Sequence, residues 1–206
     1  MSASASQCLL YRHQRFSAIW SNLSEDIRHY LHRSPAHLAV RDDSLHRLSA
    51  FLSPGVLCLL GYRFAHCLFV NGWQRPAVWV SRLNSLVHKV TIAPQSCLGP
   101  GCLLPHPAGV TFLGRAGRDV SLYSLAVCCP REDSMDDSVE SGPVLGDRVT
   151  VGAHAVLLGP ITVGDDARIA FSVRLDRDTP AGVLVISKAL RQTRRPIPAS
   201  EGTRSV

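Results

Sequence analysis

Residues 145–175 read LGDRVTVGAHAVLLGPITVGDDARIAFSVRL, and one position in every six is a branched aliphatic residue. These positions are Leu145, Val151, Leu157, Val163, Ile169 and Leu175. A small or β-branched residue stands four places after each of the first five: Val149, Ala155, Ile161, Ala167 and Val173. A six-residue period fits neither the 3.6-residue turn of an α-helix nor the two-residue alternation of a strand. It is typical of a parallel β-helix in which each flat face uses one hexad.

The same period occurs earlier in the chain. Its leading positions are Ile92, Leu98, Leu104, Val110, Ala116, Leu122 and Cys128. Cys128 and Leu145 are 17 positions apart, which is not a multiple of six, so segment 130–142 is predicted to protrude as a loop. Glycines that follow the aliphatic residue are expected at tight corners; they are Gly99, Gly146, Gly152 and Gly164. A β-sandwich is the alternative, but its turns recur irregularly, at about 8–12 residues.

The first 88 residues have helical spacing instead. Apolar residues recur three or four places apart at Phe16, Ile19, Trp20, Leu23, Ile27, Tyr30 and Leu31, which is one face of an α-helix. Further helices are predicted over 45–52, from Ser53-Pro54 to about Asn71-Gly72, and over 76–87. We therefore predict an α+β protein with a helical cap at 1–88, a β-helix at 89–180 and a basic tail at 181–206. The cap is expected to cover one exposed end of the β-helix.

The composition is that of a globular protein with one main core. The chain has 206 residues, of which 46% are hydrophobic and 18% are charged. The longest apolar stretch, 56–70, is shorter than the roughly 20 residues that span a bilayer, and residues 1–7 do not have the pattern of a secretory signal. We therefore expect a cytoplasmic protein that does not bind membranes. Seven cysteines without C-x-x-C spacing indicate neither a disulfide framework nor a metal site.

The formal charge of +6 indicates an anionic partner. No nucleic-acid recognition motif accompanies this charge, so nucleic acid is not expected. A phosphorylated cofactor is the alternative partner, because two or three basic side chains are enough to bind its phosphates.

Three stretches have the residues and spacing of one known family. They are GYRFAH at 61–66, IAPQSCLGPGCLLPHPAGV at 92–110 and VGAHAVLLGPITVGDDARI at 151–169. The first resembles the helix that leads into the barrel of serine acetyltransferases. The second resembles that family's catalytic segment, and the third resembles the coils that bind CoA. The resemblance covers roughly residues 54–191.

This resemblance implies a left-handed β-helix, homotrimers that in some relatives pair as a dimer of trimers, and acetyl-CoA in a groove between subunits. The implied reaction transfers an acetyl group to the hydroxyl of serine in cysteine biosynthesis, without a metal. His106 matches the general base, a task suited to histidine because its ordinary pKa lies near neutrality. Ala153, Lys188 and Arg191 match positions that contact the cofactor. Thr91 and His154 are candidates for contacts with the substrate.

The chain departs from the family at several of its polar positions. Thr91 stands where the family has an aspartate that orients the histidine, and Pro105 replaces the aspartate before the base. Ser141 and Gly142 replace an arginine and a histidine that hold the carboxylate of the amino acid. Phe171 stands where a small residue lies near the cofactor.

Three functions therefore stay open at this point. The first is acetyl transfer to serine or a similar small acceptor. The second is the same chemistry on another acceptor, such as a saccharide or an intermediate of specialised metabolism. The third is a catalytically impaired trimeric scaffold.

Overall fold

The computed structural model describes residues 16–33, 48–131 and 138–187. Within these ranges, α1 is Phe16–Arg33, α2 is Pro54–Val70 and α3 is Gln74–His88. Ser53 caps α2 because its side-chain oxygen accepts a hydrogen bond from the amide of Val56, and Asn71 ends the helix. Residues 48–51 are also helical. Lys188, Arg191 and the rest of segment 188–206 lie outside the described residues.

Short parallel strands make up the second half of the chain. They are β1 Thr91–Ile92, β2 Cys97–Leu98, β3 Thr111–Phe112, β4 Arg115–Ala116, β5 Ser121–Leu122, β6 Val127–Cys129, β7 Val144–Leu145, β8 Thr150–Val151, β9 Val156–Leu158, β10 Thr162–Val163, β11 Arg168–Ile169, β12 Arg174–Leu175 and β13 Leu184–Val185. They form three sheets: face A (β1, β3, β6, β9, β12), face B (β2, β4, β7, β10) and face C (β5, β8, β11, β13). The chain passes from A to B to C and then begins the next coil, so the faces enclose a prism. The last strand lies in the segment that the sequence assigned to the tail.

The aliphatic residues of the hexads form the core of this prism. Leu98, Leu122, Val151, Leu157 and Val163 have no measurable exposure. Each packs on the equivalent residue of the coils before and after it, because strands of neighbouring coils pair directly. The core is therefore a column one or two side chains wide.

The second coil does not follow the strict six-residue register. Ile92 pairs with Phe112, so Phe112 and not Val110 occupies the leading position, although both are buried. Leu98 still pairs with Ala116. The segment before Phe112 is therefore two residues longer than a hexad, and the segment after it is two residues shorter. Periodicity cannot distinguish these registers because apolar residues stand at both positions.

The glycines after the aliphatic residues have a different role from the one expected. The left-handed corner conformation belongs to residues three places before the inward position: Asp119, Leu125, Arg148, His154, Asp166 and Ser172. Gly99 is needed for close approach, because a β-carbon on it would lie 2.2 Å from the carbonyl oxygen of Gly117. Similarly, a β-carbon on Gly164 would lie 2.5 Å from the amide nitrogen of Ala181. The spacing between coils therefore requires these glycines.

The helical cap covers the free backbone edge of the first coil with polar side chains. The Tyr62 hydroxyl donates to the carbonyl of Ser96 at 2.7 Å and accepts from the amide of Leu98 at 3.1 Å. His66 Nδ1 lies 2.7 Å from the carbonyl oxygen of Pro94. No earlier strand among the described residues pairs with this edge of the first coil. The side chains therefore supply the hydrogen-bond partners that its buried backbone groups need.

A buried ion pair joins α1, α2 and the first coil. Arg63 donates to both carboxylate oxygens of Asp26, at 2.6 and 2.7 Å, and to the carbonyl of Gly99 at 3.0 Å. Asp26 also accepts from the amide of Cys102 at 2.8 Å. The side chains of Asp26 and Arg63 are 0% and 3% exposed. Among the described residues, no helix is long and apolar enough to cross a membrane.

We expect Asp26→Ala to lower the free energy of unfolding by roughly 3–5 kcal/mol, because it leaves the buried Arg63 cation without its partner. Glu25→Ala is the matched control: Glu25 pairs with Arg118 at a more exposed position, and its loss should cost about 0–1 kcal/mol. The double variant Asp26→Leu with Arg63→Met should recover only part of the loss, because it removes the unpaired charge but leaves the Gly99 carbonyl and the Cys102 amide without their partners. Chemical denaturation followed by circular dichroism measures all three, and equal effects of the two single changes would contradict the assignment.

Candidate active site

One edge of the prism carries three of the four predicted site residues that the structure describes. At this C–A edge the chain turns from face C to face A in each coil, at Gly109, Leu125, His154 and Ser172. Backbone hydrogen bonds join the successive turns: Leu125 donates to Ala108 at 3.1 Å, His154 to Ser124 at 3.1 Å and Ser172 to Ala153 at 2.9 Å. The edge is therefore a rigid ladder with a spacing of about 4.8 Å per coil.

His106 lies in the lengthened turn that begins this edge in the second coil, and the residue is exposed. Gly109 fixes the base of the turn because its amide donates to the carbonyl of Lys89 at 2.7 Å. A β-carbon on Gly109 would lie 2.4 Å from a methyl carbon of Leu125, so glycine also allows the turn to sit on the next coil. Among the described residues, none forms a hydrogen bond or an ion pair with the His106 ring. The ring is therefore accessible to a molecule bound at this edge.

Ala153 and His154 lie on the same edge, two coils beyond the His106 turn. Two coils correspond to about 10 Å, so neither residue adjoins the imidazole within one chain. His154 is exposed and has a φ of 59°, a conformation that costs a residue other than glycine roughly 1–2 kcal/mol. Glycine would adopt this conformation without that cost.

Thr91 is exposed on face A in the first coil, beside Thr111. Its amide donates to the carbonyl of Val110 at 2.9 Å, which places it next to the strand that follows the His106 turn. Among the described residues, no hydrogen bond joins the Thr91 side chain to His106. Within the described ranges, no carboxylate forms an ion pair with His106 either.

Ser141 and Gly142 lie on another edge, where the chain passes from face A to face B. Gly142 is buried, and a β-carbon on it would lie 2.1 Å from the carbonyl oxygen of Leu113. The neighbouring Gly114 is equally tight against the carbonyl oxygen of Pro143, at 2.3 Å from its own hypothetical β-carbon. The shortened corner after Phe112 therefore brings the two backbones together and leaves no space for a side chain at position 142.

The sequence pattern did not predict that Arg115, like Arg63, is buried in an ion pair. Arg115 Nη2 donates to Glu140 Oε1 at 2.9 Å, and this ion pair ties the end of the 130–142 segment to face B. Arg115 is 8% exposed, and its Nε is buried without a hydrogen-bond partner. The only signal in the sequence was a charged residue directly before the inward-facing Ala116.

The cysteines indicate packing and not nucleophilic catalysis. Five of the six described cysteines are buried. Burial raises the pKa of Cys58 to about 12 and raises the pKa values of Cys102 and Cys128 well above the ordinary value. Within the described ranges, no group of three or more His, Cys, Asp or Glu residues could hold a metal ion.

A parallel β-helix built from six-residue repeats defines the hexapeptide-repeat class of proteins. The chain is 35% identical over 133 residues to a serine acetyltransferase of Helicobacter pylori, a match that covers 64% of this chain and 76% of the relative. It is 30% identical over 138 residues to a serine acetyltransferase of Mycobacterium tuberculosis, covering 66% and 59%. The chain belongs to the serine acetyltransferase family. No protein-family model matches it.

Solved structures agree with this assignment. Serine acetyltransferase of Neisseria gonorrhoeae superimposes with a TM-score of 0.73 at 25% identity, over 83% of this chain and 63% of the other. The soybean serine acetyltransferase solved with serine gives a TM-score of 0.71 at 25% identity, over 81% and 65%. The chain thus spans about three-fifths of these two solved proteins and of the M. tuberculosis relative. The predicted left-handed β-helix, the family and the acyltransferase class are confirmed.

We expect Gly142→Ala to destabilise the fold by several kcal/mol, because its β-carbon would overlap the carbonyl oxygen of Leu113. Gly142→His, which restores the family's residue, should also lower the melting temperature and should not raise the affinity for serine above that of the wild type. Ser141→Ala is the matched control at the neighbouring position and should change stability by less than about 1 kcal/mol. Thermal unfolding and calorimetric titration with serine measure the two effects; a stable Gly142→His variant that binds serine more tightly than the wild type would contradict this account.

Proposed function

We propose that this chain is a CoA-dependent acyltransferase that moves an acetyl group from acetyl-CoA to a hydroxyl of serine or a similar small acceptor. The observation that carries the proposal is the exposed, unpartnered ring of His106 on the same edge as Ala153 and His154, in a member of this family. A cytoplasmic location is part of the proposal, since acetyl-CoA is available there.

We place the donor along the C–A edge. Ala153 is small enough for an extended pantetheine arm to lie close to the backbone. Arg168 and Arg174 are exposed on either side of Phe171, which is 75% exposed at the last coil of this edge. About 14 Å separates that coil from the His106 turn, at 4.8 Å per coil. Together with Lys188 and Arg191, these arginines are suited to the phosphates of CoA.

In the proposed reaction His106 accepts the proton of the acceptor hydroxyl while the oxygen attacks the thioester carbonyl. The tetrahedral intermediate then collapses, the carbon–sulfur bond breaks, and the proton passes from His106 to the CoA sulfur. Both steps need only one group with a pKa near neutrality. Thr91 is proposed to contact the acceptor, and the lengthened turn, which is anchored at Gly109, positions the ring in place of a carboxylate.

We further propose a homotrimer, in which the donor lies between neighbouring barrels. His106 and the Ser141–Gly142 segment lie on different edges of one prism. They can approach one another only across an interface between subunits.

A second candidate keeps the chemistry and changes the acceptor. It is favoured by the tight packing of Gly142 against Leu113, which excludes a carboxylate-binding side chain there. Acceptors without an amino-acid carboxylate, such as amino alcohols or saccharides, do not need that group.

We expect His106→Ala to lower kcat by roughly 10²–10⁴-fold while the affinity for CoA stays unchanged, because only the proton acceptor is removed. His154→Gly is the matched control: it also removes an imidazole from the same edge, but two coils away. It should raise the KM for acetyl-CoA without a large change in kcat, and it should stabilise the fold. Thiol release and calorimetric CoA binding are measured for both, and full activity of His106→Ala would overturn its role as base.

A panel of acceptors separates the two candidates. With acetyl-CoA and the wild-type chain, thiol release with serine supports the first candidate, and release only with amino alcohols or saccharides supports the second. Each product is identified by mass spectrometry, and the His106→Ala variant supplies the background rate. Absence of CoA binding by calorimetry would contradict both candidates and leave the scaffold.

A further inference from the structure

One turn of the C–A edge lies between the turn of His106 and the turn of Ala153. It consists of residues 123–125, and we name it the middle turn. Successive turns are about 4.8 Å apart, so the middle turn lies one strand spacing from each of the other two. Tyr123 and Ser124 are both half-buried in it. The middle turn therefore brings two hydroxyl groups to the part of the edge between the candidate base and the small residue.

The His106 turn bulges outward above the middle turn. Backbone hydrogen bonds fasten the two turns to each other at both ends; they run from the amide of Leu122 to the carbonyl of Leu103 at 2.9 Å and from the amide of Leu125 to the carbonyl of Ala108 at 3.1 Å. Between these fixed points the earlier turn has four residues, 104–107, whereas the middle turn has only Tyr123 and Ser124. The two additional residues have no space within the stack. His106 thus projects from the edge beside the middle turn.

An extended acyl donor on this edge has its thioester at the middle turn. In the proposed function, on which this inference rests, the phosphates of CoA lie at the last coil, the pantetheine arm passes Ala153 and the acetyl group is next to His106. The middle turn is the turn between those two residues. The reacting carbonyl group therefore lies at the level of Tyr123 and Ser124.

The Tyr123 hydroxyl is the better hydrogen-bond donor of the two. A phenol is a stronger acid than the aliphatic alcohol of Ser124, so it donates more strongly to a negatively charged oxygen. Among the described residues, none forms a hydrogen bond with the Tyr123 hydroxyl. Half burial and only two side-chain torsions restrict its position before a ligand binds. We propose that this hydroxyl donates a hydrogen bond to the carbonyl oxygen of the thioester and stabilises the negative charge that develops there.

The hydrogen bond from Tyr123 fits the electron movements of acyl transfer. As the acceptor oxygen forms its bond to the carbonyl carbon, its proton passes to His106 and the π electron pair moves to the carbonyl oxygen. Tyr123 donates to this oxygen and keeps its own proton. The pair then re-forms the double bond, the carbon–sulfur bond breaks, and the thiolate takes the proton from His106. A neighbouring barrel in the proposed homotrimer would exclude water from this edge and so strengthen the hydrogen bond.

Tyr123→Phe removes only the hydroxyl and should lower kcat by roughly 10²–10³-fold, the usual cost of losing one donor to an oxyanion. CoA affinity and the melting temperature should stay unchanged, because no described residue uses that hydroxyl. Tyr30→Phe is the matched control, since it removes a phenolic hydroxyl from α1 and should leave kcat unchanged. Ser124→Ala removes the other hydroxyl of the middle turn and should lower kcat far less than Tyr123→Phe does. Thiol release from acetyl-CoA, calorimetry and thermal unfolding measure these effects.

A second measurement needs no acceptor. The full chain is mixed with acetyl-CoA that carries ¹³C at the thioester carbonyl, and infrared difference spectroscopy records the carbonyl stretch of the bound donor. A hydrogen bond from Tyr123 weakens the carbonyl bond, so the stretch should lie at lower frequency in the wild type than in Tyr123→Phe. Tyr30→Phe should give the wild-type frequency.

The outcomes separate this role of Tyr123 from acyl transfer itself. Equal carbonyl frequencies in the wild type and Tyr123→Phe, or a wild-type kcat in that variant, would overturn the role, even where His106→Ala abolishes transfer. A larger loss of kcat in Ser124→Ala than in Tyr123→Phe would overturn it too, because it assigns the oxyanion to the other hydroxyl. A frequency shift that depends on Tyr123, in a protein that acetylates none of the acceptors, would support the contact and contradict the proposed reaction.

Discussion

The first coil of the β-helix has a free backbone edge, and the rest of the molecule depends on how the cap satisfies it. A parallel coil with no predecessor leaves carbonyl and amide groups unpaired, and burying them unpaired costs free energy. Tyr62, His66 and Arg63 reach these groups from one helix, while Asp26 reaches the amide of Cys102 from another. The cap therefore does more than exclude water from the end of the prism. It sets the position of the coil from which all later coils take their register.

The stacking of the coils then determines which residues can lie close together at the candidate site. Each coil repeats the same three corners, so residues on one edge are separated by multiples of the spacing between strands. His106, Ala153 and His154 share an edge, which suits an extended ligand that runs parallel to the prism. Ser141 and Gly142 are on a different edge. A compact pocket formed by all five residues within one chain is therefore impossible.

The second coil shows how a small change of register changes chemistry. Two extra residues before Phe112 lengthen the turn that carries His106, and two fewer after it bring Leu113 against Gly142. The histidine gains exposure, while the position that holds a histidine in the resembling family loses the space for any side chain. A single shift of two residues thus accounts for both features.

The sequence by itself determined the β-helix, the helical cap with its Ser53 cap residue, and the family to which the chain belongs. Six-residue periodicity and capping are local patterns, so they can be recognised without knowing what lies nearby. The roles of the individual glycines, the register of Phe112 and the Asp26–Arg63 pair were decided only by the tertiary structure. Each depends on which backbone or side chain from a distant part of the chain comes within a few ångströms. The same is true of the exposed apolar residues of α3, since spacing predicts an apolar stripe on a helix but not whether another element covers it.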